Sequence, residues 1–250
     1  MIIALMSASG SPGVTTIALG LARTWPNPVV CVDADAVGGS AILAGYFRGF
    51  TTPSASVVDL LLSHRAGTLA LDVDRCCLSL GEGAWILSGP RSHKQAGSVQ
   101  DLWGPLAMEL GSREDTDVVV DLGRLGMTSF AQSWLNAADV VALVTKSDLP
   151  SVAAARQWAG DFSEEMHLHP ELGPRGLIVV TPGHPYSASE IAKALEVPVF
   201  AQVRGDSRSA AVYSAGAQVK PSRRYQTDLR ACGAALREAA NTRPGVIHAS

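Results

Sequence analysis

The chain has 250 residues, of which 47% are hydrophobic and 17% are charged, and its formal net charge is −3. This composition excludes a disordered or fibrous chain, and the length fits one α/β domain over residues 1–250, with 240–250 as a frayed tail. No basic segment precedes the first apolar run and no run approaches the roughly 20 apolar residues of a membrane helix, so we predict a cytoplasmic protein without a signal peptide or transmembrane segment.

Apolar, strand-like runs alternate with helical patterns along the chain. The runs are MIIALM (1–6), PVVCVDAD (28–35), AWILSGP (84–90), TDVVVDLG (116–123), DVVALVT (139–145), GLIVVTP (176–182) and VPVFAQV (197–203). The helical patterns are TTIALGLARTW (15–25), SVQDLWGPLAMEL (98–110), LPSVAAARQWAGDF (149–162), SASEIAKAL (187–195) and TDLRACGAALREAAN (227–241). Strands that are apolar throughout are buried on both faces, and the alternation indicates right-handed βαβ units. The predicted fold class is α/β, a doubly wound and mainly parallel sheet with helices on both faces.

Two further segments, SHRAGTLALDVDRCC (63–77) and SREDT (112–116), are predicted to be surface connections. The four cysteines show no spacing typical of a metal site, and the adjacent pair Cys76-Cys77 is a poor basis for an ordinary disulfide. We therefore expect reduced thiols that fill space in the core.

The segment SASGSPGVTT (7–16) has the composition of a phosphate-binding loop. Glycines allow successive backbone N–H groups to face inward, and a helix that begins at Thr15 aims its positive end at the same point. Thr15 stands where a G-x-x-x-x-G-K-[ST] loop has the hydroxyl that holds magnesium, but Val14 stands where that loop has its lysine. The residues predicted to bind phosphate are Gly10, Ser11, Gly13, Val14, Thr15 and Thr16.

Carboxylates end two more of the predicted strands. Asp33 and Asp35 close the run VCVDAD, and Asp121 closes the run VVVD. Ligands of a doubly wound sheet bind beyond the carboxyl ends of the strands, so these side chains should meet near the glycine loop. Asp121 has the form of a strand-end magnesium ligand, and one of the other two could hold a metal-bound water or orient an attacking water. The alternative for each aspartate is a helix cap or a turn former.

A dinucleotide site is the rival interpretation of the same segments. Such a site also has a glycine turn after its first strand and an acid about 20 residues further on, which Asp33 or Asp35 would supply. However, Gly10 and Gly13 do not form G-x-G-x-x-G, and the threonines that follow have no place in that motif. An NAD-dependent enzyme therefore ranks below a phosphate-binding loop.

The order of these segments resembles the ParA/MinD family of P-loop NTPases (SIMIBI type), the deviant Walker ATPases, whose loop reads K-G-G-x-G-K-T-T. The resemblance runs from residue 1 to about residue 216. It places Asp35 at the position that activates water, and it places Thr15 and Asp121, with Asp33 beside them, toward magnesium. The segment VPVFAQVRGDSRSAAVYSAG (197–216) resembles the late segment whose loop lies against the base, which implies nucleotide contacts from Arg204 and Asp206.

Several residues depart from the family's pattern. Val14 replaces the loop lysine, and Ser9 replaces a second lysine that in the family reaches the nucleotide of a dimer partner. Pro12 has no N–H to donate. Thr181-Pro182 stands where the family often has an asparagine, and Arg204 replaces a usual proline. The degenerate loop is most similar to the CpaE/TadZ-like branch of pilus and secretion systems.

The resemblance implies a positioning or regulatory protein that binds ATP or ADP with Mg²⁺, forms a homodimer and recruits a protein of a pilus, secretion, division or partition system. The two missing lysines predict weak nucleotide binding and slow or absent hydrolysis. The chain would then be a pseudo-ATPase. The alternative is an active ATPase with a relocated cation, for which Arg124 and Lys146 are candidates because both follow strand ends.

Charge is unevenly distributed along the chain. Residues 201–250 contain eight Lys and Arg against three Asp and Glu, whereas residues 1–200 contain twelve against twenty. This asymmetry predicts an anionic partner for the C-terminal part, with non-specific DNA as the first candidate and Arg223 and Arg224 as probes. The alternative is a solvated helix face.

Overall fold

A computed structural model describes residues 1–10, 13–35, 40–125, 131–169, 171–183 and 185–242. Ser11, Pro12 and most of the tail predicted to fray lie outside these residues. Within them, an eight-stranded sheet has the order β3-β4-β2-β5-β1-β6-β7-β8. Its strands are β1 (Ile2–Ser7), β2 (Val29–Asp33), β3 (Cys77–Gly81), β4 (Ala84–Leu87), β5 (Asp117–Arg124), β6 (Val140–Lys146), β7 (Arg175–Val180) and β8 (Val199–Val203).

Helices follow most of the strands and cover both faces of the sheet. They are α1 (Val14–Thr24), α2 (Ala41–Ala44), α3 (Val57–Ala66), α4 (Leu69–Asp72), α5 (His93–Ser98), α6 (Trp103–Gly111), α7 (Ala131–Ala137), α8 (Leu149–Leu168), α9 (Ala188–Leu195), α10 (Ser207–Ser214) and α11 (Arg223–Ala240), with 3-10 turns at Asp74–Cys76 and Gln100–Leu102. The strand pairs are parallel except β3–β4, which is antiparallel. The predicted fold class is therefore confirmed.

The core forms two apolar layers, one on each face of the sheet. One layer contains α3, α6, α7, α8 and α9, and at its centre the fully buried rings of Trp103 and Trp134 lie 6.1 Å apart. The other layer contains α1, α10 and α11. Gly20 lets α1 and α11 approach closely, because a Cβ atom there would lie 2.8 Å from Leu229 Cδ1. Alternate residues of β1 enter opposite layers, as expected for a strand buried on both faces.

One predicted surface connection is wrong. Residues 63–77 contain the end of α3, all of α4, a 3-10 turn and the first residue of β3. The physical reason is burial: Leu69, Val73 and Cys76 pack into the core, so this segment forms structure instead of running over the surface. The other predicted connection, 112–116, does lie between α6 and β5. The four cysteines are free thiols, and Cys31, Cys76 and Cys232 are buried.

The carboxyl ends of the central strands meet at one edge of the sheet. Asp33 of β2 is in register with Asp121 of β5, which is in turn in register with Leu5 of β1. The predicted glycine loop and the predicted carboxylates are therefore brought to the same edge. Within the part of the chain that the structure describes, none of the helices combines the length and the apolar character that crossing a membrane requires.

Candidate functional site

The glycine loop leads directly into α1. Gly13 has φ of 98°, a left-handed conformation that favours glycine, and it occupies the N-cap position of the helix. The Ile17 N–H donates to the Gly13 carbonyl at 2.8 Å, which closes the first turn. The helix begins at Val14, one residue before the predicted start. Gly13 has no side chain to cap the helix, so among the described residues its first N–H groups and positive dipole end can face an anion.

A cleft of about 380 Å³ lies over this helix end. The predicted site residues that line it are Gly10, Gly13, Val14, Thr15, Thr16 and Asp35. The other described residues that line it are Ser7, Ser9, Gly123, Arg124 and Ser214. Ser11, the remaining predicted loop contact, lies outside the described residues. The structure therefore brings the predicted phosphate loop and the predicted water-activating carboxylate to one cavity.

Asp121 is the most deeply buried of the predicted metal ligands, with 1% of its surface exposed. Its Oδ1 accepts a hydrogen bond of 2.9 Å from the Gly123 N–H, and its Oδ2 has no hydrogen-bond partner among the described residues. Burial and the charge of Asp33 raise the pKa of Asp121 to about 7, although the Thr15 hydroxyl and the Gly123 N–H lower it. A buried carboxylate oxygen without a partner, close to a threonine hydroxyl, fits a site for a hydrated Mg²⁺ ion.

Asp33 is buried at the end of β2, in register with Asp121. The Ser40 hydroxyl donates to its Oδ2 at 2.8 Å. Burial raises the pKa of Asp33, and the nearby charge of Asp35 adds to this effect. The segment after β4 packs closely against the end of β2. A glycine is required there, because a Cβ atom at Gly89 would lie 2.4 Å from the Asp33 carbonyl oxygen. Asp33 therefore lies close enough to Asp121 and Asp35 for their charges to interact, and its role toward a metal stays a prediction.

Gly123 allows Asp35 to reach the end of β5. Its φ of 63° is left-handed, and a Cβ atom added there would lie 2.4 Å from Asp35 Cγ. The Asp35 carboxylate consequently lies against the backbone of β5 while it also lines the cleft. The three carboxylates Asp33, Asp35 and Asp121 are close enough to influence one another's charge. The described residues nevertheless contain no group of three or more His, Cys, Asp or Glu side chains arranged as a metal centre.

An apolar side chain, Val14, stands where the loop usually has a lysine, and the cationic side chain of the cleft, Arg124, comes from β5 instead. Val14 is 5% exposed and packs into the apolar layer of α1, so the position of the usual lysine is part of the core. Strand β5 continues past Asp121 to Arg124, which pairs with Ser7 immediately before the loop. The Leu125 N–H donates to the Ser7 carbonyl at 2.8 Å and fixes this extension. Among the described lining residues, Arg124 supplies the cationic side chain.

Arg204 and Asp206 lie in a different cleft from the loop. Arg204 makes a bidentate ion pair with Asp228 of α11, with Nε–Oδ2 and Nη2–Oδ1 distances of 2.9 and 2.8 Å. Asp206 caps α10 and accepts hydrogen bonds from the Ser209 and Ser222 hydroxyls. The two residues line a cavity of about 350 Å³ with neither the loop nor Asp35 among its described walls. Their predicted contact with a nucleotide stays a prediction, and both have a structural role.

Solved structures of MinD and ParA-family proteins have the same arrangement of strands and helices. The MinD cell-division ATPase of Pyrococcus furiosus has a TM-score of 0.72 and 16% identity, over 95% of this chain and 98% of that one. A ParA-family ATPase from Chlorobium tepidum has a TM-score of 0.74 and 16% identity, over 93% and 97% of the two chains. The septum site-determining protein MinD of Pyrococcus horikoshii, in complex with Mg-ADP, has a TM-score of 0.71 and 16% identity, over 98% and 99%.

This chain has the MinD/ParA fold. No protein-family model matches the sequence. The uncharacterized protein Rv3660c of Mycobacterium tuberculosis is 32% identical over 214 residues, which are 84% of this chain and 56% of that protein. The corresponding protein MT3760 of another strain matches to the same extent. The chain thus spans little more than half the length of these relatives.

Sequence reasoning missed several residues that shape the site of this MinD/ParA fold. The glycine of VVVDLG was a visible signal, since a glycine two residues after a strand-end acid suggests the left-handed turn found at Gly123. Ser40 and Ser214 had no comparable signal, because their positions depend on how α2 and α10 pack. Gly89 was equally hidden, since its need for glycine arises from contact with β2.

Proposed function

We propose that this chain is a ParA/MinD-like positioning or regulatory protein with a degenerate nucleotide site, which acts by dimerising and recruiting partners and which hydrolyses ATP weakly or not at all. The observation that carries the proposal is the cleft at the start of α1, where Thr15 interacts with the carboxyl of buried Asp121 and Val14 occupies the place of a lysine. The MinD/ParA fold supports the general class.

The ligand of this cleft would be ATP or ADP with Mg²⁺. The backbone N–H groups around Gly13 and the N-terminus of α1 would bind the phosphates. Thr15 and Asp121 would hold the ion, which would neutralise phosphate charge when bound. Asp35, which lies over Gly123 at the rim, would orient a water molecule near the phosphates. The Mg-ADP complex of the Pyrococcus horikoshii MinD supports this assignment, because that protein shares the fold.

Weak turnover follows from the loss of positive charge. A charge-assisted hydrogen bond contributes about 1.5–3 kcal/mol, so one missing lysine weakens nucleotide binding roughly 10- to 150-fold. A positive or hydrogen-bonding group aimed at developing charge is worth about 10²–10³ in rate. Isothermal titration with ATP, ADP and NAD, each with and without Mg²⁺, tests binding and the dinucleotide alternative. A phosphate-release assay tests hydrolysis. Binding of NAD instead of ATP or ADP would refute the proposal.

The alternative is an active ATPase in which Arg124 replaces the lysine. The observation in its favour is that Arg124 lines the cleft from the β5 extension beside Ser7. We expect Arg124→Ala to abolish any measured turnover in that case, whereas Lys146→Ala should leave it nearly unchanged, since Lys146 is absent from the described walls of the cleft. Equal effects of the two substitutions would contradict a phosphate-facing role for Arg124.

The proposed partners are a second copy of the chain and a protein of a pilus, secretion, division or partition system. A solved complex of MinC with MinD from Aquifex aeolicus has the same fold in its MinD chain and supports partner recruitment as a mode of action. Sedimentation velocity with and without ATP and Mg²⁺ tests dimerisation. If the chain stays monomeric under saturating nucleotide, it does not recruit partners as a dimer, and the proposed mechanism is contradicted.

Non-specific DNA is the proposed anionic partner of the C-terminal helix. Arg223 and Arg224 are exposed in the first turn of α11, where the helix dipole disfavours cations, although Arg224 also acts on the charge of Asp228 four residues further on. Replacing both with Glu should weaken duplex binding most at low salt, because each phosphate contact contributes about −0.9 to the log–log salt slope. Absence of duplex binding by the native chain at low salt would leave these arginines as a solvated face.

A further inference from the structure

A basic cleft of about 520 Å³ lies between the C-terminal end of α1 and the outer face of α11. Three arginines line it: Arg23 in the last turn of α1, and Arg230 and Arg237 on α11. The half-buried ring of Trp25 and the exposed Pro26 form its apolar wall. The cleft is at the opposite end of α1 from the glycine loop, so it is separate from the proposed nucleotide site.

The guanidinium groups of this cleft are available to a ligand. None of the three arginines makes an ion pair with a described residue, and no acidic side chain is among the described walls. Arg23 donates to the Leu80 carbonyl, which fixes its side chain beside Gly81. The Nε of Arg237 is buried and has no hydrogen-bond partner among the described residues. A buried donor without a partner is costly, so the pairing of Arg237 is incomplete among the described residues.

Two observations indicate that the three arginines lie close to one another. Arg23 and Arg230 come from different helices, yet both lower the pKa of Tyr213, whose burial raises it. Arg230 and Arg237 are seven residues apart, which is two turns on one face of α11 and roughly 10 Å along the axis. The helix dipole favours a cation in the last turn of each helix, which accounts for Arg23 and Arg237 but not for Arg230, two turns earlier.

We propose that this cleft binds a compact anion with one or two phosphate groups. Each guanidinium presents several N–H donors in a fixed plane, and three of them exceed what the two oxygens of a carboxylate can accept. A phosphate group has about two negative charges and three strong acceptor oxygens, so it can accept from more than one guanidinium at once. A DNA duplex is a less suitable ligand, because the Arg237 donor is recessed while the phosphates of a duplex lie on a convex surface.

The test is a titration of the full chain with pyrophosphate at low salt, followed in ¹H–¹⁵N spectra. The Trp25 indole N–H, which donates to Asp117 at 2.8 Å, is the reporter of this cleft and is assigned with Trp25→Phe. We expect a saturable shift of this signal, and about tenfold weaker binding in Arg230→Ala, since one charge-assisted hydrogen bond is lost. Arg156→Ala is the matched control, because Arg156 is an exposed arginine on the opposite face of the sheet.

The amide signals of Gly10 and Gly13 report the proposed nucleotide site in the same titration, so the two proposals fail separately. A response of these glycines without a response of Trp25 would overturn the basic cleft and leave the nucleotide site intact. Response of Trp25 to a short DNA duplex or to a glutamate-rich peptide, but not to pyrophosphate, would also overturn it. An unchanged affinity in both Arg230→Ala and Arg237→Ala would show that the arginines do not bind the anion.

Discussion

Val14→Lys restores the lysine that the loop lacks, and its effect can be divided into two parts. Val14 is 5% exposed and packs in the apolar layer of α1. Replacing it removes a buried side chain that contributes about 1.5–2 kcal/mol, of which the lysine stem recovers a part. Val14 also lines the cleft, so the ammonium can extend toward the phosphates instead of into the core. We therefore expect the nucleotide-free variant to be about 1–2 kcal/mol less stable than the native chain.

Nucleotide affinity should change in the opposite direction. An ammonium that donates to phosphate gains about 1.5–3 kcal/mol, which corresponds to a 10- to 150-fold lower dissociation constant for ATP with Mg²⁺. Saturating ligand at 100 times that constant would then stabilise the variant by about 2.7 kcal/mol and more than offset the packing loss. Urea unfolding with and without ATP, combined with isothermal titration, measures both effects on the same sample.

Val14→Met is the matched control, because it disturbs the same packing with a long side chain that carries no charge. It should lose stability without gaining affinity. If folded Val14→Lys binds ATP no more tightly than Val14→Met does, the loop does not hold phosphate in the way we infer. The cleft would then be a structural remnant, and the chain would act as a scaffold without a nucleotide.

Three further predictions test the packing around the site. Asp121→Asn should stabilise the nucleotide-free chain at pH 8, and urea unfolding should show this gain shrinking toward pH 4. The reason is that the carboxyl of Asp121 has a pKa of about 7 in the folded chain and an ordinary, lower pKa in the unfolded chain, so ionisation favours unfolding. A difference that is constant with pH would contradict this. Asp228→Asn should lower stability at pH 7 and progressively less below pH 4 in urea unfolding, since Arg204 lowers the pKa of Asp228 and the ion pair is lost when that carboxylate is protonated. A pH-independent loss would show that the charge is unimportant. Gly89→Ala should lower the melting temperature because its Cβ would meet the end of β2, whereas Gly97→Ala, which has free space, should not.

Much of the fold could be predicted because its signals are local. The uninterrupted apolar runs of β1, β2, β5, β6 and β7 indicated a parallel sheet covered on both faces, and the structure has it. Strand β3 was missed because its residues are only partly buried and it pairs antiparallel at an edge. Helix α10 was missed because its sequence has little amphipathic character, although its cap is local: the Ser209 N–H donates to Asp206.

The candidate site shows the same division between local and tertiary information. The glycine loop and the strand-end aspartates were evident because each lies within a few residues of an apolar run. The burial of Val14 could not be predicted, because a first-turn side chain can point either to the cleft or to the core. Arg204 was expected to contact a nucleotide, but it pairs with Asp228. The two residues are 24 positions apart, and no spacing in the sequence indicates their pairing.

Helix α1 has one end in each of the two clefts. Its 11 residues span roughly 16 Å from Val14 at the glycine loop to the turn before Trp25, and Gly20 packs its middle against α11. If α1 shifts as a unit, a ligand that moves one end acts on the geometry of the other. Any such coupling must be reciprocal: if an anion beside Arg23 changes the affinity for nucleotide by some factor, nucleotide changes the affinity for that anion by the same factor. The short helix would then couple the binding of a nucleotide at the glycine loop to the binding of an anion beside Arg23.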